Sequence, residues 1–187
     1  MYFKKVALVL VALSLPLTGC ASVKNLLPQS AERNLLSGKV GSNGPVLVVK
    51  IDDTTQAHPQ IGLEDADIVY IEQVEGGLTR LAAIFSSVVP QRIGPVRSAR
   101  ISDIDIVSQY GRVAFAYSGA QRKLLPVIAS ANVQDLGAQH EGSAIYTTDP
   151  NRIPPYAMVL RADLLMKRIK EQNFLIDEAK YVGSIFG

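Results

Sequence analysis

Three arginines and a serine surround a Gly-Pro pair in the stretch RIGPVRSARISD, residues 92–103. Proline suits the first position of a helix because it has no N–H to leave unpaired, and serine is a common N-cap. Apolar residues at helical spacing follow. We therefore predict that a helix begins at Pro95 or Ser98, with Arg97 and Arg100 near its first turn. The helix dipole disfavours cations there by about 0.3–1 kcal/mol, so a negative group should lie opposite them.

Two kinds of negative group fit this corner. Residues 45–75 hold seven acids and one base, and residues 76–123 hold seven bases and two acids, so internal ion pairs with Glu72 or Glu75 are expected first. A local pair between Arg100 and Asp103 is also possible. The other candidate is a bound phosphate or carboxylate, held by free N–H groups, the Ser98 hydroxyl and the guanidinium groups. Both alternatives stay open.

Other residues suggest chemistry less specifically. Ser118 follows a predicted strand and precedes glycine, but it lacks the preceding glycine of a nucleophile elbow. A triad of Ser118, His140 and Asp149 can be drawn, but any chain with two histidines allows such a combination. The two histidines are too few for a typical zinc site. Asp52 and Asp53 with Glu72 and Glu75 could bind a hard cation, although strand-end acids that are solvated or paired with arginines are the simpler interpretation. We predict no catalytic residues, no metal and no cofactor.

The N-terminus has the features of an export signal. Lys4 and Lys5 precede an apolar run that is too short to span a bilayer, and the sequence LTGC ends at Cys20. This matches the lipobox of bacterial lipoproteins, in which the cysteine thiol carries a diacylglycerol. We predict a signal peptide over residues 1–19 and anchoring to the membrane through Cys20, the only cysteine in the sequence.

Charge argues against nucleic acid as a partner. The chain has 19 Lys+Arg and 17 Asp+Glu, and two of the lysines belong to the predicted signal peptide. The mature chain is therefore balanced at 17 of each sign, without the excess of basic residues that nucleic-acid binding requires.

Patterns along the rest of the chain indicate an α/β domain. Residues 20–44 lack sustained periodicity and are predicted to be a flexible tether that carries the lipidated cysteine. From residue 45 to 187, short β-branched runs alternate with helical patterns, and Gly76-Gly77 predicts a hairpin. PVLVVKID, residues 45–52, predicts a buried strand, and RADLLMKRIKEQN, residues 161–173, predicts a helix. We expect a mixed β-sheet with a hairpin and flanking helices. The ending YVGSIFG is typical of a strand that stops midway, so we expect a truncated chain whose second domain is missing.

The segments VEGGLTR, GPVRSAR and AFAYSGA, with VLVVKIDDTTQAHPQ before them, resemble the YerB-like family of bacterial surface lipoproteins. The resemblance runs from about residue 45 to the end and implies the N-terminal α/β domain of a two-domain family. It also implies an envelope location of the Gram-positive type and a suggested association with penicillin-binding proteins. Where relatives show a Pro-His-Asn-Leu-like run, this chain has PPYAM, residues 154–158.

Taken together, these features favour a non-enzymatic module on the outer face of the cytoplasmic membrane. It would bind a peptidoglycan-synthesis protein or an anionic wall polymer. The alternative is an enzyme that acts on a phosphorylated or glycosidic envelope substrate through the Arg97/Arg100 corner. The residues predicted to contact a ligand are Asp52, Glu72, Glu75, Arg80, Arg97, Ser98, Arg100 and Ser118.

Overall fold

The computed structural model describes residues 31–183, and a five-stranded mixed sheet lies at its centre. The predicted signal peptide and Cys20 fall outside the described residues. The strand order is β2-β3-β1-β5-β6. The strands are β1 (Leu47–Asp52), β2 (Ile68–Gln73), β3 (Thr79–Phe85), β5 (Val113–Ala116) and β6 (Val133–Asp135).

Strand β1 holds the middle of this sheet because its apolar run is buried on both faces. It pairs antiparallel with β3 and parallel with β5. Leu47, Val49 and Ile51 point into one hydrophobic cluster, and Val46 and Val48 point into another on the opposite face. The mixed α/β fold expected from the sequence is confirmed.

The predicted hairpin joins β2 to β3. The two strands pair antiparallel from Ile68↔Ile84 to Gln73↔Thr79. Gly76 and Gly77 adopt φ angles of 73° and 71° in the turn between them, a region that glycine enters at no steric cost.

A second, three-stranded antiparallel sheet packs beside the first. Its order is β4-β8-β7, and its strands are β4 (Arg92–Ile93), β7 (Tyr146–Thr148) and β8 (Met158–Arg161). The sequence did not suggest β4 or β8, since both are short and their pairing depends on contacts far apart in the chain.

Within the described part of the chain, four α-helices cover the sheets: α1 (Ser102–Ser108), α2 (Leu125–Ser130), α3 (Ala138–Glu141) and α4 (Ala162–Glu171). Helix α4 buries Leu165 and Ile169 in the first cluster, whereas Ile106 of α1 and Ile128 of α2 belong to the second. Within residues 31–183, no helix combines the length and apolar character needed to cross a bilayer.

The prediction that a helix begins at Pro95 or Ser98 is wrong. Helix α1 begins at Ser102, and the chain before it is extended because its backbone pairs with the ends of β1 and β5. The Arg97 N–H donates to the Lys50 carbonyl at 2.9 Å, and the Arg97 carbonyl accepts from the Ser118 N–H at 2.9 Å. These groups are therefore not free to form a helical turn or to bind an anion.

The described part of the predicted tether, residues 31–44, also differs from expectation. Leu36 is only 1% exposed within the second cluster, and Asn34 is equally buried. The Asn34 side chain accepts from the Leu36 N–H and donates to the Ser42 carbonyl. This segment is docked on the domain rather than flexible, because one well-placed leucine supplies the apolar contact and Asn34 closes the loop.

Candidate functional site

Charged side chains cross one face of the large sheet in a row. Asp52 on β1 and Glu72 on β2 both lie directly opposite Arg80 on β3. Residues directly opposite one another in antiparallel strands share a face, so the three side chains project to the same side. Lys50, two residues before Asp52, projects there as well.

Lys50 is fully buried and ion-paired. Its ammonium group contacts a Glu72 carboxylate oxygen and lies 2.8 Å from Asp103 Oδ1. The second Glu72 oxygen accepts from the Ser102 hydroxyl, and Asp103 Oδ2 accepts the Arg100 N–H at 2.6 Å. Each charge in this cluster therefore has a partner, as burial requires.

Burial raises the pKa of Asp103 to about 6. The positive charge of Lys50 acts against this shift, and the nearby Glu72 carboxylate adds to it. Asp103 also fixes the chain just before α1, because its Oδ2 accepts the Arg100 N–H.

Asp52 supports two arginines at once. Its carboxylate is fully buried, with Oδ1 3.5 Å from Arg80 Nη1 and Oδ2 3.0 Å from Arg97 Nε. The Thr54 N–H donates to Oδ1 at 2.8 Å. A single buried carboxylate thus holds Arg97 in place while part of its guanidinium group stays accessible.

Arg97 extends from Asp52 into a cleft of about 440 Å³. Its Nη1 donates to the Pro155 carbonyl at 3.2 Å, and its guanidinium carbon lies 5.8 Å from the centre of the Tyr156 ring. The side chain remains 21% exposed. The hydroxyls of Ser98 and Ser118, 3.4 Å apart, line the same cleft. This arrangement places one cation and two hydroxyl groups where an anionic ligand group can reach them.

Arg100 opens into a different cleft, of about 560 Å³. Its Nε lies 2.9 Å from a Glu75 oxygen, so one of the expected internal pairs is present. The pKa of Glu75 is lowered, first by a hydrogen bond from its own backbone and then by Arg100. Asp103 contacts the backbone of Arg100 and not its guanidinium group, contrary to the expected local pair. The single anion-binding corner predicted around Arg97 and Arg100 is therefore divided into two clefts, one on either side of residues 97–100.

The predicted ligand residues divide between these places. Arg97, Ser98 and Ser118 line one cleft, and Arg100 and Glu75 line the other. Asp52, Glu72 and Arg80 lie beneath them as buried supports. Ser118 is not part of a triad: its hydroxyl contacts Ser98, while His140 pairs with Asp135 and Asp149 pairs with Arg152. Among residues 31–183, no group of three His, Cys, Asp or Glu side chains is placed to hold a metal.

Sequence reasoning missed several residues of these clefts and of the charge network beneath them. Lys50 could have been recognised from the sequence. A lysine within the apolar run PVLVVKID must have an acidic partner if the strand is buried. Tyr156, Pro155 and Thr148 reach the Arg97 cleft from distant parts of the chain. No local pattern could have placed them there.

The fold and its clefts define a mixed α/β domain with a buried charge network beneath two surface clefts. Residues 34–175 match the family described as "Protein of unknown function (DUF3048) N-terminal domain", and the chain belongs to this family. The resemblance to YerB-like proteins is confirmed. The chain is 31% identical over 142 residues to the "Putative lipoprotein YerB" of Bacillus subtilis (strain 168), covering 75% of this chain and 42% of that protein.

A solved structure shows the same fold. The crystal structure of YerB protein from Bacillus subtilis superposes with a TM-score of 0.68 at 24% sequence identity. The match covers 80% of this chain and 52% of that one. The chain thus spans about half the length of the relatives that it matches.

Proposed function

We propose that this protein is a lipid-anchored binding module of the cell envelope, held on the outer face of the cytoplasmic membrane by a diacylglycerol on Cys20. The lipobox LTGC supports the anchor, and so does the relative described as a lipoprotein. The ligand is an anionic wall polymer, and its acidic group binds in the Arg97 cleft.

The accessible guanidinium of Arg97 carries this proposal. Asp52 and Tyr156 fix its position, and the hydroxyls of Ser98 and Ser118 lie beside it. A preoriented arginine with hydroxyl donors suits a phosphate or carboxylate oxygen, because its planar donors need little reordering.

The separation of the two arginines favours binding over catalysis. Stabilisation of one reacting centre by both arginines would require the two guanidinium groups in the same cleft. Here they line different clefts, and Arg100 is paired with Glu75. A penicillin-binding protein as partner stays a prediction from the resemblance.

Co-sedimentation with purified Gram-positive cell walls tests the ligand. The full-length chain, kept in an uncharged detergent, should pellet with walls, and Arg97→Gln should reduce the pelleted fraction at least fivefold. Ser98→Ala/Ser118→Ala should weaken binding while leaving the Asp52 pair intact. Arg122→Gln, which removes an exposed charge elsewhere, is the matched control. Equal pelleting of wild type and Arg97→Gln would refute the proposal.

The anchor is tested separately by metabolic labelling with palmitate. Wild type should carry the label and fractionate with membranes, and Cys20→Ser should do neither. Label on Cys20→Ser would show that the lipid is attached elsewhere.

A further inference from the structure

Two arginines face each other on the second sheet. Arg92 on β4 and Arg161 on β8 are directly opposite in the antiparallel register, so their side chains lie on the same face. Both residues are exposed. Like charges in this position destabilise a sheet, and such a pair calls for a compensating negative group.

The protein supplies no such group within residues 31–183. Neither guanidinium has a carboxylate within 4.0 Å, and Arg161 makes only a 3.5 Å contact to the Ala144 carbonyl. Asp163 lies at the same cleft without pairing with either arginine. The positive charge of this pair is therefore largely uncompensated.

The start of α4 makes the cation pair still less favourable. Arg161 is the residue before this helix, where the helix dipole is positive. The N–H groups of Ala162 and Asp163 both point to the Gln91 carbonyl, so the helix end has its own partner. The arginine pair, rather than the helix, is what lacks a partner.

A cleft of about 380 Å³ lies over the pair, lined also by Gln91, Thr147, Thr148 and Asp163. Two guanidinium groups present up to ten N–H donors, more than one carboxylate accepts. A phosphate group offers more acceptor oxygens and can bridge two arginines. The donor set therefore favours phosphate over carboxylate.

Thr148 lines this cleft and the Arg97 cleft as well, so the two clefts adjoin. We infer that Arg92 and Arg161 form a second anion subsite, and that the ligand is a polymer with repeated phosphate groups that crosses Thr148 from one cleft to the other. This inference rests on the proposed function for the Arg97 end of the ligand.

Binding of long-chain polyphosphate to the full-length protein in uncharged detergent tests the subsite. Arg92→Gln/Arg161→Gln should weaken binding at least tenfold. Since each phosphate contact adds about 0.7–0.9 to the salt dependence of log affinity, this variant should also lower the salt slope by about 1.5. The control Arg122→Gln/Lys170→Gln removes two exposed charges elsewhere and should change affinity less than twofold.

The possible outcomes separate the two proposals. If Arg97→Gln weakens polyphosphate binding while Arg92→Gln/Arg161→Gln binds like wild type, the second subsite is refuted and the proposed function stands. Polyglutamate of matched charge binding as tightly as polyphosphate would refute the preference for phosphate. If wild type does not bind polyphosphate, the inference fails, and the wall co-sedimentation assay decides the proposed function independently.

Discussion

Lys50 and Asp103 form a buried ion pair that joins the central strand β1 to the first turn of α1. Their nitrogen and oxygen atoms are 2.8 Å apart, and both side chains are fully shielded from solvent. The pair lies 53 residues apart in sequence and touches the segment that carries Arg97 and Arg100. The two clefts therefore have a common charged support beneath them.

Replacing Lys50 by methionine should strongly destabilise the fold. The substitution leaves Glu72 and Asp103 buried without their cation, and removing one member of a buried pair costs about 3–5 kcal/mol. Urea denaturation should show this loss in the free energy of unfolding. Lys170→Met, at an exposed lysine, should stay within about 0.5 kcal/mol of wild type. A loss below about 1 kcal/mol for Lys50→Met would contradict the role assigned to the pair.

The ionisation of Asp103 should make stability depend on pH. Its pKa is about 6 in the folded protein against 3.8 ordinarily, so the folded state holds this proton more tightly than the unfolded state. The free energy of unfolding of wild type, relative to Asp103→Asn, should therefore fall as pH rises from about 4 to 6 and level off above that. Two pKa units correspond to at most about 3 kcal/mol.

Urea denaturation of both proteins across this pH range measures the effect. A relative stability that instead rises with pH would mean that pairing with Lys50 outweighs the cost of burying the Asp103 charge.

Leu36 should contribute to stability although it lies in the segment predicted to be a tether. Leu36→Ala removes a side chain that is 1% exposed and should cost about 2–5 kcal/mol. Leu35→Ala is the matched control, because the side chain of Leu35 is 44% exposed and its removal should change the stability little. Equal effects of the two variants on the thermal midpoint would show that residues 31–44 are not docked in solution.

The Arg92–Arg161 pair predicts a gain in stability when one charge is removed. Arg161→Gln relieves repulsion across the strands and a cation at the start of α4, each worth a few tenths of a kcal/mol. The free protein should therefore unfold at higher urea concentration, even though polyphosphate binding weakens. If Arg161 had a purely structural role, its replacement would destabilise the protein. A lower urea midpoint for Arg161→Gln than for wild type would therefore count against the subsite.

Elements with strong local patterns were predictable from the sequence. The apolar run of β1, the Gly76-Gly77 turn and the amphipathic α4 all occur where the patterns placed them. In each case a single physical cause, such as burial or a positive φ angle, acts within a few residues.

The arrangement of the clefts was not predictable in this way. Pro95 and Ser98 carry good helix-start signals, but backbone pairing of this segment with β1 and β5 overrides them. That pairing depends on strands from distant parts of the chain, and so does the position of Tyr156 beside Arg97. The sequence indicated that acidic and basic side chains would pair with one another. The topology of the sheet decides which acid pairs with which base.

Docking of Asn34 and Leu36 on the domain shortens the segment that would link the lipid proposed on Cys20 to the folded domain. Cys20 and Asn34 are fourteen positions apart in the sequence, which corresponds to at most about 50 Å of fully extended chain. A linking segment that stayed undocked as far as residue 44 would reach much farther. Under the anchoring proposed above, the folded domain and its clefts would therefore stay within about 50 Å of the lipid on Cys20.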